Sequence, residues 1–364
     1  MGSGADRSGG MVREGGPLRV RRRVDTGGAR GRALSAWEIR EGDVLDRLRE
    51  MPTGSVQCAV TSPPYWGLRD YGQDGQLGLE ATLEEYVANM VEVFREVKRV
   101  LRDDGTLWLN LGDSYTSVGS GGDTKTGFNN RYFGRDNDVG KQGDAAGLVK
   151  KRQLRHGLKP KDLVGIPWRV AFALQEDGWY LRSDIIWHKP NPMPESVTDR
   201  PTKAHEYVFL LTKSARYFYD NVAVMEQAKY GKEHANKTTS WGSDRKHPNK
   251  ANVADYAFKG DNHTTSKMPD GSHGRNKRTV WKITTKPYAG VHFATFPPEL
   301  PELCIKAGSQ KGGTVLDPFS GAGTTGMVAL RLGRSYIGIE LNPEYAEMSR
   351  KRIDSDCPLF NRHE

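Results

Sequence analysis

The sequence predicts an α/β fold, a doubly wound Rossmann-like sheet whose strands are encoded in circularly permuted order. Three observations predict it. Strand, helix and strand patterns alternate from Trp37 onward, a glycine turn joins strand to helix in "TVLDPFSGAGTTGMVALRL", and only 38 residues follow Gly326. So short a remainder cannot complete a doubly wound sheet, and the missing strands must come from earlier sequence. Permutation is tolerated when the ends it joins lie close together at a domain surface.

Length and charge frame the elements. The 364 residues suit one large domain with elaborations or two domains. Lys and Arg number 54 against 45 Asp and Glu, a net charge of +9 that favours a polyanionic partner. Cys58, Cys304 and Cys357 lack metal or redox spacing, which implies a reducing, cytoplasmic compartment. No apolar run reaches the roughly 18 residues of a membrane span, and no secretory leader is evident.

Residues 1–33 hold eight Arg, three acids and few large apolar side chains, and read as a disordered basic tail. A leader, an overlong start with Met11 as second candidate, and a DNA-binding arm are alternative readings. From Trp37, "WEIRE" gives a short strand, Val44, Leu45 and Leu48 a helix of one to two turns, and Val56 to Thr61 a buried strand. A capping box, Thr82 to Glu85, opens a helix with Tyr86, Met90, Phe94, Val97 and Leu101 on one face. "DDG" should end it and "TLWLNLG" form the next strand. Residues 113–160 lack periodicity and read as a long functional loop.

"IPWRVAFALQEDG" then reads as a helix stopped near Gly178, followed by a strand through Ile185 to Trp187. "EYVFLLTKSARYFYD" looks like a hairpin. Residues 221–280 carry 11 Lys or Arg against six acids, and their four His (His234, His247, His263, His273) lack metal-ligand spacing, so no metal site is expected. This segment is either a solvated insertion or a target-recognition region. Accordingly, residues 34–220 form one part of the catalytic domain and 281–364 the other.

The final block supplies chemistry. Val315 and Leu316 form a strand, the glycines a turn, Thr325 to Leu332 a helix, and Ser335 to Glu340 a strand ending in an acid. Gly321, Gly323 and Gly326 satisfy G-x-G-x-x-G, with Glu340 where a ribose-binding acid is expected. That pattern fits a nicotinamide dinucleotide or S-adenosylmethionine; permutation and the DPFSGAGTT flanks favour the second. "TSPPY" on its own reads most simply as a Pro-Pro turn leaving a strand.

Together these motifs resemble the DNA amino-methyltransferases in their permuted, beta-type order. "TSPPY" is similar to the family's catalytic motif, "DPFSGAGTT" to its cofactor loop, "GIELNPEY" to its ribose-binding strand end, "HFATFPPEL" to the element before the cofactor loop, and "EGDVLDRL" to the adenine-binding segment. The resemblance implies an S-adenosylmethionine-dependent enzyme that methylates an exocyclic amine in double-stranded DNA, with a restriction endonuclease as separately encoded partner. It covers roughly residues 37–350, excepting 221–280.

The residue types suit that chemistry. An exocyclic amine is a poor nucleophile because its lone pair is delocalised into the ring, so acceptors must make it more tetrahedral. By resemblance, the Ser62 hydroxyl and Pro63 carbonyl accept from the amine, Pro63 and Pro64 hold them rigid, and Tyr65 offers the flipped base a face worth about 1–3 kcal/mol. Trp66 and Cys58 are read as packing residues. For the cofactor, the resemblance implies Asp317, Pro318, Phe319, Ser320, Gly321 and Gly323 around the methionine part, with Thr324 and Thr325 as hydrogen-bond partners. It further implies Glu340 and Asn342 at the ribose end, Asp43 at the adenine amine and Phe296 packed nearby. Asp43 is equally well placed to cap a helix, and Phe296 to join the core. Ser62, where many adenine enzymes of the family carry Asp, favours cytosine N4 over adenine N6. A catalytically idle DNA-binding protein of the same fold is the rival from another class.

Overall fold

The computed structural model describes residues 37–116, 158–227, 266–267, 272–285 and 296–356. The expectations for the tail at 1–33, most of the 113–160 loop, His234, His247, His263 and Cys357 lie outside these residues. Strand β1 (Trp37–Glu41), helix α1 (Val44–Arg49), β2 (Val56–Thr61), α2 (Leu83–Val100) and β3 (Leu101–Leu111) come first. Helix α3 (Ile166–Glu176), β4 (Tyr180–His188) and β5 (His205–Thr212) follow. After the short strands β6 (Glu226–Gln227), β7 (Ser266–Lys267), β8 (His273–Arg275) and β9 (Val280–Lys282), the chain forms α4 (Glu299–Gly308) and β10 (Thr314–Asp317). Helix α5 (Thr324–Arg331), β11 (Ser335–Glu340) and α6 (Pro343–Asp356) complete it.

The main sheet has eight strands in the order β1-β11-β10-β2-β3-β5-β4-β9. From β1 to β3 every pairing is parallel, and β5 alone runs antiparallel to its two neighbours. The strand formed late, β10, lies between β11 and β2, as the permuted reading requires. Because successive side chains point to opposite faces, Val56, Ala59, Leu107, Leu109 and Leu316 pack with Tyr86, Phe94, Val97, Val170 and Leu174 from α2 and α3. Cys58, Val60, Trp108 and Val315 pack with Leu300, Cys304, Ile305, Leu330 and Ile353 from α4, α5 and α6 on the other face. Burial on both faces explains the near-continuous apolar strands. Trp66 is also buried, its Nε1 donating to the Glu80 carbonyl at 3.1 Å.

Three local expectations are corrected. Helix α2 ends at Val100, and Leu101 already pairs with Val56 as part of β3. The Asp103-Asp104-Gly105 segment is a bulge in that strand, since the next pair in register is Cys58 with Thr106. The expected hairpin within 206–220 is instead β4 against β5, with Ile185 opposite Val208; residues 213–220 leave the sheet, where Phe218 N donates to the Asp104 carbonyl at 2.9 Å. Within 221–280, β6, β8 and β7 form a small separate sheet while β9 extends the main one beside β4.

Candidate active site

The crossovers β10-α5-β11 and β2-α2-β3 run on opposite faces, which opens a crevice at the C-terminal ends of β10 and β2. Both motifs emerge there. Thr61, the last residue of β2, donates from Oγ1 to Asp317 Oδ1 at 2.6 Å, and Thr325 donates to Asp317 Oδ2 at 2.7 Å. Phe319 N also donates to Oδ1, at 3.1 Å. Asp317 is 1 % exposed, and burial pushes its carboxyl up to about 6 despite these donors. Its side chain therefore holds the glycine loop to the end of β2.

The loop itself is fixed at each residue. Gly321 and Gly323 have φ of 52° and 71°, in the left-handed region glycine favours. A Cβ on Gly323 would lie 2.2 Å from Ser349 Oγ, so the glycine also lets α6 approach. Pro318 is buried, half-buried Phe319 packs on the core, and the Ser320 hydroxyl pairs with Tyr336 Oη at 2.9 Å. Thr324 Oγ1 accepts from Arg352 at 2.8 Å. Thus the side chains of Asp317, Thr324 and Thr325 are engaged by the protein itself.

At the end of β11, Glu340 Oε2 accepts from Gly321 N at 2.8 Å and Oε1 from Asn342 N at 3.0 Å. Burial raises its pKa, while these backbone donors and that of Leu341 oppose the shift. The carboxylate retains acceptor capacity beyond these backbone donors, which suits a hydroxyl of a vicinal diol. Asn342 Oδ1 caps α6 through Glu344 N at 2.8 Å. Asp43 does the same for α1, accepting from Leu45 N at 2.9 Å and Asp46 N at 3.2 Å, and Gly42 N ties that turn to the Glu340 carbonyl. Phe296 is half-buried and packs against the α4 face of the core.

On the catalytic side, Ser62 and Tyr65 sit in a polar cluster that spacing did not reveal. Ser62 Oγ donates to Tyr65 Oη at 3.3 Å, Tyr65 Oη donates to Glu206 Oε2 at 2.9 Å, and Lys189 Nζ pairs with Glu206 Oε1. Asn110 Nδ2 lies 3.3 Å from Ser62 Oγ, 3.0 Å from Tyr65 Oη and 3.0 Å from Glu206 Oε2. Its Oδ1 is buried with no hydrogen-bond partner among the described residues, an open acceptor in the site. Pro63 is buried, and the Pro64 carbonyl accepts from Tyr86 Oη at 2.9 Å. Gly112 makes room for Tyr65, since a Cβ there would lie 2.6 Å from its ring.

Cys58 is a different matter. It lies in the core, where burial pushes its thiol up to about 12, so it is no nucleophile at neutral pH. Among the described residues, no group of three or more His, Cys, Asp or Glu could hold a metal, and no helix is long and apolar enough to cross a membrane.

The chain belongs to the N6/N4 DNA methylase family: the family's sequence model matches residues 56–351. It is 48% identical over 323 residues to the type II methyltransferase M.Cfr9I of Citrobacter freundii, covering 89% of each chain. It is 47% identical over 320 residues to M.SmaI of Serratia marcescens, covering 88% of this chain and 91% of that one. Among solved structures, the PvuII cytosine-N4-specific DNA methyltransferase superposes with a TM-score of 0.55 at 19% identity, over 90% of this chain and 92% of that chain. A DNA modification methylase from Thermus thermophilus, complexed with S-adenosyl-L-methionine and itself named as putative, superposes with a TM-score of 0.52 at 23% identity, over 89% and 95%. These two superpositions bear on the fold, a Rossmann-like α/β sheet.

Proposed function

We propose that this chain transfers a methyl group from S-adenosylmethionine to the N4 amine of cytosine in double-stranded DNA, as the modification enzyme of a type II restriction-modification system with a separate endonuclease. The observation that carries the reading is the Thr61–Asp317 hydrogen bond, which brings the SPPY turn and the glycine loop to one crevice. When bound, the cofactor supplies an electrophilic sulfonium methyl.

The chain's own residues do the rest. Glu340 holds the ribose hydroxyls while Phe319 and the loop backbone enclose the methionine part. Asp43 and Asn342 act at the adenosine end chiefly by capping α1 and α6, whose first turns border Glu340. A flipped base stacks on Tyr65, and its amine donates to Ser62 Oγ and the Pro63 carbonyl, which favours a pyramidal nitrogen and receives its developing positive charge. Cytosine is supported by Ser62 in place of the Asp that many adenine enzymes of the family carry. The 221–280 segment, with parts of the 113–160 loop, is the target-recognition region, supported by its basic, polar composition.

The test is methylation of unmodified bacterial genomic DNA with methyl-labelled cofactor, digestion to nucleosides and chromatography. Label in N4-methyldeoxycytidine is expected. Label in N6-methyldeoxyadenosine alone overturns the base assignment, and absence of label in any deoxynucleoside overturns the activity in favour of an idle DNA-binding protein.

A further inference from the structure

The SPPY chemistry leaves one charge unaccounted for. Once the amine nitrogen has acquired a methyl group it carries a positive charge, and a proton must leave it. The Ser62 hydroxyl accepts from Asn110 Nδ2 and donates to Tyr65 Oη, whose own hydroxyl points to Glu206 Oε2. Glu206 is thus the end of a chain of donors that begins at Ser62. Its other oxygen is paired with Lys189, the first residue after β4, and its side chain is only 16% exposed. A carboxylate has no reason to be this far from water unless it is held there for its charge.

Resting on the methyltransferase reading above, we propose that Glu206, through Tyr65 and Ser62, takes the proton released by the methylated amine, with Lys189 keeping the carboxylate charged until then. The N–C bond forms from the amine lone pair as the S–C pair returns to sulfur, leaving a neutral thioether. The aminium proton passes to Ser62 Oγ, the Ser62 proton to Tyr65 Oη, and the Tyr65 proton to Glu206 Oε2. The products are a neutral methylated amine and a Glu206 carboxylic acid beside Lys189; the acid returns its proton to solvent when the site opens. The 3.3 Å separation of Ser62 from Tyr65 is long for an O–H···O bond and shortens when a base fills the site.

The surroundings agree. Burial opposes ionisation of Glu206, but the Lys189 ammonium, then the donors Asn110 and Tyr65, hold its pKa below the ordinary range. Burial and then the Glu206 charge keep the Tyr65 phenol neutral, as a relay requires. Among the described residues, the other charged or titratable groups that feel the charge of Glu206 are Lys203 and His205 from its own segment; burial lowers both of their pKa values. Asn110 Nδ2 touches all three relay members and fixes their spacing without titrating. Glu206 and Lys189 touch neither base nor cofactor and are positioning residues.

Glu206→Gln keeps the shape and cannot take the proton. It should slow single-turnover methylation about 100-fold, with cofactor and DNA affinities and melting temperature near wild type, while Glu206→Asp recovers part of the rate. Lys189→Met should move the acidic limb of the methylation rate to higher pH, and in the protein without cofactor should move the titration of the Glu206 carboxyl, followed by carbon-13 NMR, in the same direction. A wild-type rate in Glu206→Gln overturns the proposal, as does a Lys189→Met protein in which neither limb nor titration moves. If Glu206→Gln fails to fold, the Lys189→Met pair of measurements decides alone. Wild-type protein that labels no DNA overturns the methyltransferase reading instead, and leaves the Glu206 titration to be read by itself.

Discussion

Thr61 and Asp317, 256 residues apart in the chain, share a 2.6 Å hydrogen bond that closes the floor of the crevice between β2 and β10. Since burial raises the Asp317 carboxyl from 3.8 to about 6, the folded protein binds its proton more tightly than the unfolded chain does. Stability from this group is therefore greatest below pH 4 and falls as pH rises through about 6, by up to about 3 kcal/mol. Asp317→Asn should abolish that decline. Urea unfolding of both proteins between pH 4 and 7 measures it, and parallel curves would show that Asp317 is ionised throughout.

Ser62→Ala removes the acceptor proposed for the amine and the start of the donor chain to Tyr65. Methyl transfer under single-turnover conditions should fall about 100-fold or more, with cofactor affinity unchanged by calorimetry. A loss smaller than about fivefold would assign the acceptor role to the Pro63 carbonyl and Asn110.

Glu340→Ala removes the acceptor of Gly321 N, the carboxylate proposed to hold the ribose diol. A ribose contact is made equally in ground and transition states, so cofactor binding should weaken at least about tenfold while the rate at saturation changes little. Titration calorimetry and saturating-cofactor kinetics separate the two.

Gly112→Ala would bring a Cβ to 2.6 Å from the Tyr65 ring. The ring must turn, which breaks its alignment with Ser62, Asn110 and Glu206. The expected outcome is a loss of methylation rate exceeding the loss of cofactor affinity, with destabilisation of about 1–3 kcal/mol on thermal unfolding.

The sheet was legible because its strands are apolar on both faces and its helices carry clear periodicity and caps; the Thr82–Glu85 capping box is present in full, at 3.0 and 3.2 Å. The glycine loop and SPPY turn were legible because close backbone approach and rigid turns demand particular residue types. Asp43 and Asn342 illustrate the reverse difficulty, since an N-cap and a ligand contact use the same oxygen and the same sequence signal. The Asn110–Lys189–Glu206 cluster was not legible because β3, β5 and the residue just after β4 contribute one residue each, and only strand pairing brings them together. One clue was present: Lys189 and Glu206 are charged residues close to the apolar runs 185–187 and 207–211.

The pairing of β1 with β11 has a consequence for how the protein is made. Trp37 lies beside Tyr336, and among the described residues β1 has no other strand neighbour, so this first described strand waits for a partner about 300 residues later. At about 5–20 residues per second this is roughly 15–60 s of translation. Throughout that interval β2 also lacks β10, and one edge of the half-built sheet carries unpaired backbone groups. A nascent chain arrested before residue 314 should therefore remain protease-sensitive and dependent on chaperones, whereas a separately expressed fragment carrying β10 to α6 should complete it in trans.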